Sequence, residues 1–189
     1  MAINKGRLEV VCGPMFSGKS EELLRRLKRA QIARQPFQLF KPSIDNRYSE
    51  THVVSHSGIE MKCRVIEDAE ELLSVPRDVQ IVGIDECQFL GDNAPQIIES
   101  LVSDGKRVIV AGLDMDSNGV PFDPMPVLLA RAESVLKVAA VCEVCGEDAT
   151  HTYRHSTVNM GGDVNVGPSV LVGASDHYEA RCRKHWQRW

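Results

Sequence analysis

The residues Gly13-Pro14-Met15-Phe16-Ser17-Gly18-Lys19-Ser20 constrain this chain more than any other stretch. They fit G-x-x-x-x-G-K-[ST], a turn whose backbone N–H groups cradle phosphates, whose lysine reaches the outer phosphates and whose last hydroxyl binds magnesium. Such a turn works between a strand and a helix, and both are written in its flanks. Leu8 to Cys12 is short and mostly apolar, as a buried strand requires, while Glu21 to Arg34 places Leu23, Leu24, Leu27 and Ile32 at roughly helical spacing without Gly or Pro. The helix N-terminus adds partial positive charge and unpaired N–H groups where phosphate oxygens would sit.

Strand and helix patterns alternate beyond this point. Phe37 to Lys41, Val79 to Ile84 and Arg107 to Gly112 read as strands; Ala69 to Leu73 and Pro95 to Val102 read as helices. That alternation predicts an α/β fold with a mainly parallel sheet covered by helices. With 189 residues, 43% of them hydrophobic, the chain has room for one domain of ordinary size and a small appendage. Composition shifts near Val141, where Cys, His and Gly take over. The expected division is therefore a phosphate-loop domain over 1–140 and a second unit over 141–189. No apolar run reaches membrane-spanning length and the N-terminus lacks a secretory core, so the protein is expected to be cytoplasmic. A formal net charge of −4 argues against broad attraction to nucleic acid or anionic membrane. The one basic cluster, Arg25, Arg26, Lys28, Arg29 and Arg34, reads as a solvated helix face.

Gln80 to Leu90, QIVGIDECQFL, supplies a second motif. An apolar strand ending in a carboxylate brings that carboxylate to the sheet edge where the phosphates lie, so Asp85 suits a metal held directly or through water. Glu86 follows at once, and a second carboxylate can accept a proton from a nucleophilic hydroxyl. The third constellation pairs Cys142-Glu143-Val144-Cys145 with Cys182-Arg183-Lys184-His185. Two ligand residues three positions apart in each half make a Cys₃His set for structural zinc, with four protein ligands and no open position. Such a site would pin the ends of a long intervening loop. Cys12, Cys63 and Cys87 have no such pairing and read as ordinary buried thiols.

Together GPMFSGKS, DNRYS (Asp45 to Ser49), GIDECQF, the run from Gly112 to Phe122, AESVLK (Ala132 to Lys137), CEVC, VGASDHYEARC (Val172 to Cys182) and CRKH resemble the zinc-containing, type II family of thymidine kinases. The resemblance runs in order from near residue 8 to His185. It implies a phosphate-loop domain of RecA-like type carrying a small zinc domain with a lasso loop, and transfer of the γ-phosphate of ATP to the 5′-hydroxyl of thymidine. Gly13, Pro14, Met15, Phe16, Ser17 and Gly18 would then form the ATP loop, Lys19 would hold the phosphates, and Ser20 and Asp85 would serve the magnesium. Glu86 would be the base and Arg47 would meet phosphate charge during transfer. Met15, Gln88, Phe89, Leu113 and Phe122 match positions lining the nucleoside pocket. Tyr178 matches the lasso tyrosine, and the backbone at Leu171, Val172 and Gly173 matches the part that hydrogen-bonds thymine. Homotetramers and inhibition by thymidine triphosphate are the family's habit.

Two positions depart from the family pattern. Ser117 stands where many relatives carry phenylalanine, which predicts a smaller or wetter pocket wall. Cys87 stands where glycine often separates the glutamate from the glutamine, which predicts a different local backbone. Nothing in composition or spacing singles out thymine, and that part rests on the resemblance. The same motifs also fit a phosphate-loop ATPase that uses ATP to drive motion and whose zinc module binds nucleic acid or a protein partner, although Glu143, Glu147, Asp148, Asp163, Asp176 and Glu179 leave that module without a basic stripe for nucleic acid. A nonenzymatic nucleotide sensor is a third reading, disfavoured by Glu86. Thr157 to Pro168, rich in Gly, Asn and Val, is expected to be a mobile surface loop.

Overall fold

The structure is a computed structural model that describes residues 6–44, 52–54, 60–155 and 177–186. Its strands are β1 (Arg7–Cys12), β2 (Phe37–Pro42), β3 (His52–Val54), β4 (Glu60–Lys62), β5 (Arg64–Ile66), β6 (Ile81–Ile84), β7 (Arg107–Gly112), β8 (Ser134–Lys137), β9 (Ala140–Val141), β10 (Asp148–Ala149), β11 (His151–Arg154) and β12 (Tyr178–Arg181). Its helices are α1 (Lys19–Ile32), α2 (Ala94–Ser103), α3 (Met125–Arg131) and the single turn α4 (Arg183–Trp186), with 3-10 turns at Ala69–Ser74 and Cys87–Phe89. Six strands make one sheet in the order β5-β2-β6-β7-β1-β8, with every pairing parallel. The expected α/β class is what forms.

Strand alternation assigns the two faces. Leu8, Val10 and Cys12 of β1 face the core shared with α2, α3 and the Ala69–Ser74 turn, whereas Val11 faces α1. Helix α1 buries Leu23, Leu24, Leu27 and Ala30, but Ile32 is 75% exposed, one step outside the apolar stripe. The helix also stops at Ile32 rather than Arg34. Arg34 turns into the left-handed region at φ 55°, and Gln35 N–H closes back on the Ala30 carbonyl at 3.0 Å. Strand β6 begins at Ile81 rather than Val79, because the Val79 N–H bonds the Pro76 carbonyl in a turn whose carbonyls also accept from Lys106 Nζ.

The basic helix face is only partly solvated. Glu9 lies in the middle of β1, 2% exposed, and its carboxylate takes Arg26 at 2.7 Å, Arg107 at 2.6 Å and Arg7. Burial by itself would raise the Glu9 carboxyl, but the guanidiniums of Arg107 and Arg7 hold it down at about 2. Arg26 therefore belongs to an ionic knot between α1 and the sheet, while Arg25 stays at the surface on Glu22. A buried carboxylate needs such company.

Past β8 the chain makes small antiparallel pairs, β9 with β10 and β11 with β12. Hairpin β11–β12 is stiffened by Arg181 stacked 3.4 Å over the Tyr153 ring and by Glu179, which pairs with both His155 and Arg181. No helix among the described residues is long and apolar enough to cross a membrane.

Candidate active site

The C-terminal ends of β1, β6 and β7 meet at one sheet edge, and the phosphate-type loop follows the first of them. Gly18, at φ 81°, sets the start of α1. Within the loop Ser17 Oγ and Lys19 Nζ both donate to the Pro14 carbonyl, at 2.7 and 2.6 Å, so a lysine only 8% exposed is folded against its own loop. An incoming phosphate would compete for that ammonium. The Met15 N–H is taken by Thr152 Oγ1 at 3.0 Å, which ties the loop to β11.

Strand β6 delivers the acidic pair. Asp85 is buried at its end, and Oδ1 accepts from Ser20 Oγ and from the Glu86 N–H, both at 3.1 Å. The hydroxyl and carboxylate expected to serve magnesium are thus in contact, with donor chemistry suited to a hard cation. Glu86 adopts φ 49°, ψ 41°, left-handed for a residue with a side chain, a conformation that costs on the order of 1–2 kcal/mol.

Gln88 explains how Glu86 is held. Its Nε2 donates to Glu86 Oε2 at 2.6 Å, and its Oε1 accepts the Leu113 N–H at 3.0 Å. A Cβ on Gly112 would stand 2.7 Å from that Oε1, so only glycine leaves room for the amide. Cys87, beside it, is fully buried, and burial pushes its thiol up to about 12. Phe89 and Phe122 meet edge to face with ring centres 5.8 Å apart. The structure thus brings Gln88, Phe89, Leu113 and Phe122 to one corner.

Ser117 is 4% exposed, in a turn whose carbonyl at that residue accepts from Trp186. Tyr178 is buried at the start of β12, opposite Arg154. Arg47 and the DNRYS segment, Leu171, Val172, Gly173 and the 157–168 loop lie outside the described residues. Sequence reasoning missed Asp114, just past β7: one oxygen pairs with Lys137 at 2.5 Å, and the buried Oδ1 has no hydrogen-bond partner among the described residues. It also missed Thr152, which no motif marks.

The Cys₃His set does assemble. Ligand atoms of Cys142, Cys145, Cys182 and His185 lie within 4.8 Å of one another. Cys145 and Cys182 sulfurs are 3.8 Å apart, and His185 Nδ1 is 3.2 Å from Cys182 Sγ and 3.7 Å from Cys142 Sγ. A zinc–sulfur bond of about 2.3 Å gives a tetrahedral edge of about 3.8 Å, so the donors fit zinc in spacing as well as type. Burial would raise the Cys142 thiol, but backbone N–H groups of Cys182, Val144 and Cys145 bring it down to about 6, favouring the thiolate a metal needs. The loop between the two ligand pairs is pinned a second time: His155 N–H bonds the His177 carbonyl at 2.9 Å, closing the hairpin inside the metal set.

What this geometry defines is a class: an α/β protein of phosphate-loop type with an acidic strand end in contact with the first turn of α1, joined to a small knuckle with a zinc-type ligand set. Comparison with known proteins narrows the class. The thymidine kinase family model matches residues 6–186. A thymidine kinase of Bdellovibrio bacteriovorus is 52% identical over 184 residues, covering 97% of this chain and 86% of its own length. The chain belongs to the thymidine kinase family. Among solved structures, the genome packaging NTPase B204 of Sulfolobus turreted icosahedral virus 2, in complex with ATP-gammaS, gives a TM-score of 0.47 at 12% identity over 70% of this chain and 74% of its own. A DNA replication initiation factor gives 0.42 at 13% identity over 70% and 40%.

Proposed function

We propose that this chain performs the family's reaction, transfer of the γ-phosphate of ATP to the 5′-hydroxyl of thymidine, with its own residues in the following roles. Lys19 and the loop Gly13–Ser20 bind the ATP phosphates. Ser20 and Asp85 hold magnesium, which when bound neutralises phosphate charge. Glu86 takes the 5′-hydroxyl proton onto its carboxylate, and the oxygen so freed attacks the γ-phosphorus while ADP leaves. Gln88 fixes the Glu86 carboxylate during that step. Arg47 meets the developing phosphate charge. Met15, Gln88, Phe89, Leu113 and Phe122 line the nucleoside side, with Leu171, Val172, Gly173 and Tyr178 closing over the base and excluding water.

The observation that carries this reading is the contact set at the end of β6: Ser20 on Asp85, and Glu86 next in sequence, held by Gln88. A phosphate loop that merely sensed nucleotide would have no need of a strained, tethered second carboxylate. Zinc, held by Cys142, Cys145, Cys182 and His185, is structural and contributes folding rather than chemistry. The remaining parts of the proposal are a division into 1–140 and 141–189, a cytoplasmic location, a homotetrameric assembly and inhibition by thymidine triphosphate. The test is a scan of nucleosides with ATP and magnesium for nucleoside-dependent ADP release. Release that rises with thymidine is expected; release indifferent to every nucleoside would favour the ATPase reading instead.

A further inference from the structure

Trp186 follows the last zinc-type ligand, His185, and its indole lies between β11 and the 116–120 turn. The ring stacks on His151, with centroids 4.5 Å apart and planes at 29°. Its Nε1–H points between two carbonyls, Thr152 at 3.1 Å and Ser117 at 3.4 Å. The ring also lies on the 116–120 turn so closely that a Cβ on Gly119 would come within 2.5 Å of it.

Both carbonyls belong to segments that matter. Thr152 holds the Met15 N–H of the phosphate loop through its side chain. Ser117 sits in a turn fastened by Asp116, whose Oδ1 accepts the Asn118 and Val120 N–H groups at 2.8 and 2.9 Å. That turn connects Leu113, whose N–H is held by Gln88, to Phe122, which packs on Phe89. The indole therefore stands where the knuckle, the phosphate loop's tether and the turn joining two nucleoside-side residues converge.

We propose that Trp186 is a positioning residue for the nucleoside site, a strut by which the metal knuckle fixes the 116–120 turn, and with it Leu113 and Phe122, relative to the phosphate loop. This rests on the thymidine kinase reading given above. Trp186 touches no reacting atom, and its loss acts mainly on nucleoside binding, because the lysine and serine on the ATP side are carried by α1 and the Met15 N–H is held by the Thr152 side chain rather than by the carbonyl that Trp186 bonds.

The experiment uses the full chain. Trp186→Ala and Trp186→Phe are checked for zinc content by elemental analysis, then assayed for KM of thymidine, KM of ATP and kcat. Trp186→Ala is expected to raise the KM for thymidine about tenfold, the factor for one or two ordinary hydrogen bonds plus ring contact, with KM for ATP changed less than about twofold. Trp186→Phe keeps a ring on His151 but no N–H, so it should recover part of that loss. A zinc-loaded Trp186→Ala with parental KM for thymidine, or with equal shifts for both substrates, would overturn the proposal. If Trp186→Ala does not fold, Trp186→Phe decides, with an expected rise of about threefold against none. Hydrogen exchange at the Asn118 and Val120 amides needs no nucleoside: it should quicken in the variants, and unchanged exchange would refute the strut even if the parent proved inactive on thymidine. An inactive parent with quickened variant exchange would instead condemn the kinase reading and leave the strut standing.

Discussion

Gln88→Met isolates the link between fold and chemistry at the end of β6. Methionine nearly matches glutamine in length and volume, so the corner between Gly112 and Glu86 stays filled and no large cavity term enters. Two interactions vanish. The Leu113 N–H, buried beside the amide, loses its acceptor, which costs about 1–3 kcal/mol for an orphaned backbone donor. Glu86 loses the 2.6 Å bond that fixes Oε2. On the stability side the midpoint should fall by roughly 2–12 °C, taking about 2–4 °C per kcal/mol for a chain of this size. On the activity side the carboxylate remains but is free to wander, and misplacement of a base by about 1 Å costs up to about 10²-fold. Thermal melts and steady-state kinetics with ATP and thymidine check both, with kcat expected to drop about 10- to 10²-fold and KM for ATP little changed. A variant that melts early yet keeps parental kcat would refute the positioning argument.

Other outcomes follow from the same contacts. Glu9→Gln should lower stability by up to about 3 kcal/mol at pH 7, because a carboxyl held at about 2 against an ordinary 4.5 stabilises the fold. That contribution is present above about pH 4.5 and is lost as pH falls toward 2, so urea titrations of parent and variant should converge in that window. Cys182→Ser should weaken zinc binding and thymidine phosphorylation while ATP and magnesium binding persist. Since β11–β12 closes inside the metal set, the hairpin should partly survive chelation, which circular dichroism and elemental analysis together would detect.

The site's chemistry was more legible in the sequence than its supports. Lys19, Ser20, Asp85 and Glu86 are announced by local patterns, because a phosphate loop and an acidic strand end each need adjacent residues in a fixed order. Cys142, Cys145, Cys182 and His185 are legible through ligand type and spacing alone. By contrast, the Glu9 knot joins three arginines from α1, β7 and β1, and a lone glutamate in an apolar strand gives no hint of which cations will reach it. Thr152 and Trp186 matter through contacts 137 and 69 residues distant in sequence, and no period or motif encodes such meetings. Helix α1 ends early for a reason that is local yet equally hidden: Arg34 takes a left-handed conformation that its residue type does not advertise.

The most direct measurement follows the phosphorus. ATP labelled in its γ-phosphate is incubated with magnesium and thymidine, and the label is traced in the parent and in Glu86→Gln, which keeps shape but removes the base. The parent is expected to place the label in thymidine 5′-monophosphate, one per ADP formed. Glu86→Gln is expected to do so roughly 10²–10⁴-fold more slowly while still binding thymidine. Label released as free phosphate at a rate indifferent to thymidine, or a Glu86→Gln enzyme as fast as the parent, would contradict the account.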